Sequence, residues 1–196
     1  MRKIFSFMMV TLDGYFEGRN HDLGWHNTDE EFNAFSSGQL DEAGTLMFGR
    51  LTYQMMAQFW PTPAGKEADP AVAERMNGTD KIVVSRTLDR AEWARTRLIK
   101  RDVAGEIAKL KQEPGKDIAI LGSSRLTASV LRMGLLDELR IMVNPVVLGG
   151  GTPLFGDTTF GDTTFGDTAG RIDLELLGTR TCGSGNVLHS YRPAAA

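Results

Sequence analysis

Apolar residues along this chain fall into short runs, separated by stretches in which they recur every three or four positions. The first run, Lys3 to Thr11 (K-I-F-S-F-M-M-V-T), is almost continuous and suits a central strand buried on both faces. Thr45 to Phe48, Lys81 to Val84, Asp117 to Leu121 and Leu139 to Val143 are shorter runs of the same kind. Between them lie helical patterns. Phe32, Phe35 and Leu40 give a helix its apolar side, with Asn27 or Thr28 as its cap and Glu30 and Glu31 in its first turn to complement the dipole. Tyr53, Met56 and Phe59 continue helically until Pro61 and Pro63 break the pattern, so Thr62 to Ala68 reads as a loop. Pro70 starts a short helix to Met76 that Gly78 ends, and Val103 to Lys111 is a helix with Ile107 and Leu110 inward.

The stretch from Asp117 to Gly151 organises the rest. Its first strand ends at Gly122, Ser123 or Ser124 supplies an N-cap, and Leu126, Leu131 and Leu135 follow at helical spacing until Gly134 closes the helix. The next apolar run resumes at Leu139. In one sheet such a strand–helix–strand unit implies parallel strands joined by a right-handed crossover. The Gly-Ser-Ser turn presents backbone N–H groups at a helix start, where the unpaired donors and the dipole both favour a phosphate. Leu12-Asp13-Gly14 turns out of the first strand at its C-terminal end, the place where open α/β sheets hold ligands, and Tyr15 to Gly24 reads as a polar loop leading to Trp25. Near the C-terminus, Ile172 to Thr181 and Asn186 to Arg192 read as two strands joined through Cys182-Gly-Ser-Gly, an antiparallel hairpin at the sheet edge.

Between Gly151 and that hairpin the sequence repeats. Phe155-Gly-Asp-Thr-Thr recurs from Phe160, and Phe165-Gly-Asp-Thr-Ala is nearly a third copy. Such short copies cannot bury the continuous core of a solenoid. Asp157, Asp162 and Asp167 lack the glycine-rich nonapeptide spacing of calcium-binding β-rolls. A tandem duplication inside a surface loop fits, since chain entropy tolerates loop insertions well.

Composition narrows the class. With 196 residues the chain fits one domain, 1–196, with a substantial core. A net charge of -3 gives a nucleic-acid partner no electrostatic support. Cys182 is the only cysteine, which excludes an intrachain disulfide or a thiolate metal cluster, and His21, His26 and His189 have no metal-ligand spacing, so no metal is expected. No apolar run approaches the roughly 18 residues of a membrane span, and the expected compartment is the cytoplasm.

Three strand ends now carry the candidate chemistry: Gly49-Arg50-Leu51-Thr52, Ser85-Arg86 and Gly122-Ser123-Ser124. Each follows directly on an apolar strand and offers phosphate a helix-start N–H, a hydroxyl or a guanidinium fork. With T-L-D-G-Y at Thr11 to Tyr15, M-F-G-R-L-T-Y at Met47 to Tyr53, K-I-V-V-S-R at Lys81 to Arg86, I-L-G-S-S at Ile120 to Ser124 and P-V-V-L-G-G-G-T-P-L-F at Pro145 to Phe155, the chain resembles the dihydrofolate reductase-like superfamily. In particular it resembles the reductase domain of bacterial riboflavin biosynthesis and its stand-alone relatives. The zinc deaminase often fused to that reductase needs a P-C-x-x-C motif, which this sequence lacks.

The resemblance implies an α/β, three-layer, dihydrofolate reductase-like fold with a mixed, mainly parallel central sheet, helices on both faces and the C-terminal antiparallel hairpin. It further implies an NADPH-dependent reductase acting on a small pyrimidine- or pterin-like molecule, as a homodimer and without a membrane or nucleic-acid partner. Under it, Gly49, Arg50 and Thr52 sit by the cofactor phosphates, Ser85 and Arg86 hold the adenosine 2′-phosphate, and Gly122, Ser123 and Ser124 cradle the pyrophosphate. Asp13 matches the family's first-strand aspartate and is either a substrate contact or a turn-former before Gly14. Glu30 follows Trp25 at the spacing of the substrate carboxylate in dihydrofolate reductases, or is a solvated first-turn glutamate. Beside the riboflavin-type reduction stand two further readings: a pterin or dihydrofolate reductase, and a nucleotide-binding module without turnover.

Overall fold

A computed structural model describes residues 1–155 and 171–194, together with the backbone of 159–160 and 163–164. The reading of the repeat as a duplicated loop, Phe155 and those short segments aside, lies outside the described residues. In chain order the elements are β1 (Ile4–Thr11), β2 (Tyr15–Glu17), α1 (Glu30–Glu42), β3 (Ala43–Gly49), α2 (Arg50–Phe59), α3 (Pro63–Ala68) and α4 (Pro70–Gly78). Then come β4 (Asp80–Val84), β5 (Thr96–Ile99), α5 (Val103–Gln112), β6 (Asp117–Leu121), α6 (Ser124–Arg132) and β7 (Glu138–Asn144). The chain ends with β8 (Thr152–Pro153), β9 (Thr159–Phe160), β10 (Thr163–Thr164), β11 (Leu174–Thr181) and β12 (Val187–Pro193).

Eight strands form one sheet in the order β11-β12-β7-β1-β6-β3-β4-β5. From β7 to β5 every pairing is parallel, whereas β12 joins β7, and β11 joins β12, antiparallel. The mixed, mainly parallel sheet with a C-terminal hairpin is therefore present. Strict alternation sends side chains to two cores. Ile4, Met47, Ile82, Ile118 and Ile120 pack against Ile107 of α5 and Leu126 and Val130 of α6. Phe5, Leu46, Phe48, Val83 and Ala119 pack on the opposite face against Leu40 of α1, Tyr53 of α2 and Met76 of α4. Because both faces of the central strands are buried, a one-residue slip would exchange the two cores wholesale, and this fixes register. No helix among the described residues is long and apolar enough to cross a membrane.

Three local expectations are corrected, and one strand is added. The cap of α1 is Asp29, whose carboxylate accepts from Phe32 N at 2.7 Å, and neither Asn27 nor Thr28. Asn27 is engaged elsewhere: its N–H donates to Asn144 Oδ1 and its side-chain amide to Ser184 O, tying this segment to β7 and the hairpin turn. The expected loop at 62–68 is the helix α3, because Thr62 caps Gly65 N and Pro63 occupies the first turn, where a missing N–H costs nothing. The expected polar loop after Gly14 contains β2, which pairs with β8. Strand β5 was not anticipated, since its half-solvated T-R-L-I sequence at the sheet edge has no continuous apolar run.

Lys81 anchors the α4–β4 junction. It is 1% exposed, and its ammonium donates to the carbonyls of Met76 (2.9 Å), Asn77 (3.2 Å) and Thr79 (2.6 Å) at the end of α4, beneath the ring of Trp93. Cations suit this end of a helix dipole. Burial pushes the Lys81 pKa down to about 8, with Arg95 adding to the shift and Asp80 opposing it. The unfolded chain thus binds more protons than the folded one between about pH 8 and the ordinary value of 10.5, so Lys81 makes stability rise with pH across that window. Lys81→Met should lower the unfolding free energy at neutral pH by about 1–3 kcal/mol by stranding those carbonyls. It should also flatten the alkaline rise. Urea unfolding of both proteins across that pH range tests both effects.

Candidate functional site

β6, β3 and β4 are neighbours in the sheet and run parallel, so their C-terminal ends open on one edge. Two of the three ends touch. The N–H of Gly49 donates to Ser123 Oγ at 2.8 Å, and a Cβ placed on Gly122 would lie 3.3 Å from Thr52 Cγ2. Gly122 adopts φ +65°, a conformation open to glycine at little cost, and Ser123 follows it at φ +61°. Ser123 does occupy the cap position of α6, but its hydroxyl caps nothing there, being bound to Gly49. At the start of α2, Gly49 has no side chain with which to cap. Two helix N-termini without side-chain caps therefore stand side by side, the arrangement best suited to an anion. Ser124 is buried at the start of α6.

The turn after β4 faces the start of α2 across a groove whose lining includes neither Ser85 nor Arg86. Ser85 is buried, and its Oγ accepts from the N–H groups of Thr87 (3.2 Å) and Leu88 (3.0 Å), shaping the turn after β4. Arg86 beside it is exposed. Arg50, also exposed, donates to Gln54 Oε1 at 3.1 Å and shares a groove of about 610 Å³ with Thr87, Leu88, Asp89, Arg90 and Glu92.

Thr52 and Gly122 also belong to the wall of a cavity of about 510 Å³ on the α1–α2 side of the sheet. Phe7 and Met9 of β1 and Leu121 of β6 reach it from the sheet, Phe32, Gln39 and Leu40 from α1, and Leu51, Met55 and Met56 from α2. Phe16 and Glu17 of β2 and Val72 and Met76 of α4 complete much of the lining, with His21, Leu23 and His26 from the β2–α1 connection. The cavity size falls in the usual range for a small-molecule site.

Neither acidic candidate lies in that lining. Asp13 is exposed at the end of β1, accepting from Thr11 Oγ1 (2.6 Å), Leu148 N (3.3 Å) and Gly149 N (2.8 Å). The Thr11 hydrogen bond first, then these amides, hold its carboxyl below the usual carboxylate range. Its geometry is that of a clamp between β1 and the glycine loop after β7. Glu30 is exposed in the first turn of α1.

The titratable groups in the cavity wall are ones the sequence argument passed over. Glu17 Oε1 accepts from Thr152 Oγ1 and lies 2.8 Å from His21 Nδ1. The β2–β8 pairing makes this possible, and Gly151 permits it: a Cβ there would stand 2.2 Å from the carbonyl oxygen of Glu17. Asn20 and His21 are both left-handed, at φ +59° and +62°, a conformation that non-glycine residues rarely adopt and that often marks function. With Nδ1 turned to the carboxylate, Nε2 is the imidazole nitrogen left for other chemistry. His26 is half-buried, and burial lowers its pKa against the opposing charge of Asp22. Its Nε2 is buried without a hydrogen-bond partner among the described residues. Only the spacing of Glu17 and His21 hinted at this pair, and in a loop that spacing carries no geometric meaning until β2 is known. No cluster of metal-binding side chains occurs among the described residues.

Comparison with known proteins places this geometry. Uncharacterized protein YyaP of Bacillus subtilis is 32% identical over 192 residues, covering 97% of this chain and 94% of that protein. Among solved structures, the chain is similar to the diaminohydroxyphosphoribosylaminopyrimidine deaminase/5-amino-6-(5-phosphoribosylamino)uracil reductase of Thermotoga maritima. The TM-score is 0.67 at 12% identity, over 98% of this chain and 57% of that one. It is also similar to the dihydrofolate reductase of Enterococcus faecalis complexed with NADP(H), with a TM-score of 0.59 at 15% identity, over 98% and 97% of the two chains. These likenesses establish a dihydrofolate reductase-like fold. The family model of the RibD C-terminal domain matches residues 2–188. The chain therefore belongs to the RibD C-terminal domain family.

Proposed function

We propose that this protein is an NADPH-dependent reductase that transfers a hydride to a small planar substrate. The observation that carries this reading is the pair of helix N-termini without side-chain caps, joined by the Gly49–Ser123 hydrogen bond and opening through Thr52 and Gly122 into the cavity. In this reading Gly49, Arg50 and Thr52, with Gly122, Ser123 and Ser124, hold the cofactor's phosphates. Arg86 takes the adenosine 2′-phosphate, and Ser85 shapes the turn that presents it. A donor set of backbone N–H groups, hydroxyls and guanidinium forks fits such a group. When bound, the reduced nicotinamide supplies the hydride and its electron pair.

The chain's own residues supply the rest. His21, held at Nδ1 by Glu17, provides a proton from Nε2 to the heteroatom of the reduced bond, and water restores it. Asp13 acts as a positioning residue, fixing the loop at Leu148 and Gly149 that leads to Gly151 and so to the Glu17–Thr152 contact. Glu30, on the exposed side of α1, complements the helix dipole. The expected homodimer has an available edge in β11, all of whose residues are exposed.

Arg86→Ala should weaken NADPH binding by about 10- to 100-fold, the worth of charge-assisted hydrogen bonds, while leaving NADH nearly unchanged. Paired calorimetric titrations decide this, and equal losses for both nucleotides would remove the 2′-phosphate role. NADPH oxidation against a panel of pterins, pyrimidines and small carbonyl compounds tests turnover. A protein that retains NADPH but oxidises it with none of them is a binding module. On an acceptor that does turn over, His21→Gln should reduce kcat by about 100-fold or more without changing the dissociation constant for NADPH. Unchanged kcat would remove His21 from the chemistry.

A further inference from the structure

The cavity and the strand ends beside it differ sharply in charge. The ends offer arginines and helix-start amides, but among the described residues the cavity wall contains no lysine or arginine. Among the described residues its only titratable side chains are Glu17, His21 and His26, set among Phe7, Met9, Leu51 and Trp60. The 156–170 sequence adds aspartates and no cation, so it could not supply one. A phosphate group placed in such a wall would find hydroxyl, amide and imidazole donors such as Thr52, Gln39 and His26 but no lysine or arginine to offset the loss of its hydration, and the Glu17 carboxylate would repel it. The 5-phosphoribosyl group carried by the substrate of the Thermotoga maritima reductase is therefore chemically mismatched to this wall.

Resting on the reductase reading above, we propose that the substrate of this site is an uncharged, unphosphorylated, conjugated carbonyl compound of one or two rings. The apolar wall takes its rings. Reduction adds the hydride to the carbonyl system and a proton from His21 to its oxygen, so the product gains two electrons and two hydrogens while the dihydronicotinamide is oxidised.

Binding alone tests this. The probes are menadione, a neutral two-ring quinone, and a naphthoquinone sulfonate of the same ring size, titrated into the full chain with NADP⁺ present. Binding is followed by Trp fluorescence, since Trp60 lies in the wall, and NADPH affinity is measured separately by calorimetry. Menadione should bind at least about tenfold tighter than the sulfonate, because only the sulfonate must bury an unpaired charge. Met55→Lys places a cation in the wall at a side chain 44% exposed, where a charge is tolerated. It should bring the sulfonate to within about threefold of menadione, with circular dichroism checking the fold.

Equal or tighter sulfonate binding by the unaltered protein would overturn the proposal, as would failure of menadione to bind when NADPH does. If menadione keeps its advantage but NADPH does not bind, the neutral site stands and the reductase reading falls.

Discussion

The amide of Gly49 donates to the hydroxyl of Ser123 over 2.8 Å, joining the start of α2 to the turn that begins α6. The rest of the candidate site is arranged by the same constraint that places these two groups together. β3 and β6 are parallel neighbours whose side chains alternate between two buried cores, so neither strand can shift by a residue without exchanging its faces. Fixed register brings Gly49 and Gly122 to one edge. The left-handed turn at Gly122 and Ser123 then carries the serine hydroxyl to Gly49 instead of to its own helix. The consequence is chemical as well as structural: the hydroxyl that would ordinarily cap α6 is used as a strut, and the helix start is left for another acceptor.

A second, softer framework supports the other side of the cavity. Asp13 binds the amides of Leu148 and Gly149, and shortly afterwards β8 pairs with β2. That pairing sets Thr152 against Glu17, and Glu17 faces His21. Here the contacts come from a two-residue strand and a loop, not from the deep sheet. Elements of that kind sit at the low-stability end of a fold, where ligand-responsive segments are found. The edge at Gly49 and Gly122 is thus rigid by packing, and the acid–imidazole pair is held by a short chain of polar contacts.

Much of this could be read from the sequence because its strongest signals are the ones burial creates. Ile4 to Thr11, Asp80 to Val84 and Asp117 to Leu121 are strands buried on one or both faces, and their apolar runs announced them. The glycine and hydroxyl steps after the strands were legible for the same reason, being abrupt ends to apolar patterns. What escaped notice was half-solvated or defined by partners distant in sequence. β5 has only one buried residue, Ile99, and β2 exists only because Thr152 and Pro153 return to it from the far side of the chain. Proline misled the reading of α3, since Pro63 marks a helix start when Thr62 caps it and a break when nothing does. The Glu17–His21 pair left only a spacing in the sequence, because its logic depends on β2.

The contrast between the strand ends and the cavity separates what the sheet fixes from what side chains alone decide. The phosphate-suited features are backbone amides, a left-handed turn and arginines at the ends of register-locked strands, so they are tied to the fold. The cavity wall is built largely from side chains of α1, α2, α4 and the β2–α1 connection, which can change without altering any strand register. A cation at Met55 or Leu51 would alter what the cavity accepts, yet both side chains are about half exposed and neither belongs to the cores packed on the sheet. Fold likeness at 12–15% identity is therefore informative about the architecture that presents the strand ends and nearly silent about the cavity. In this chain the strand ends and the cavity rest on different atoms, and the absence of a lysine or arginine among the described residues of the wall is what separates them.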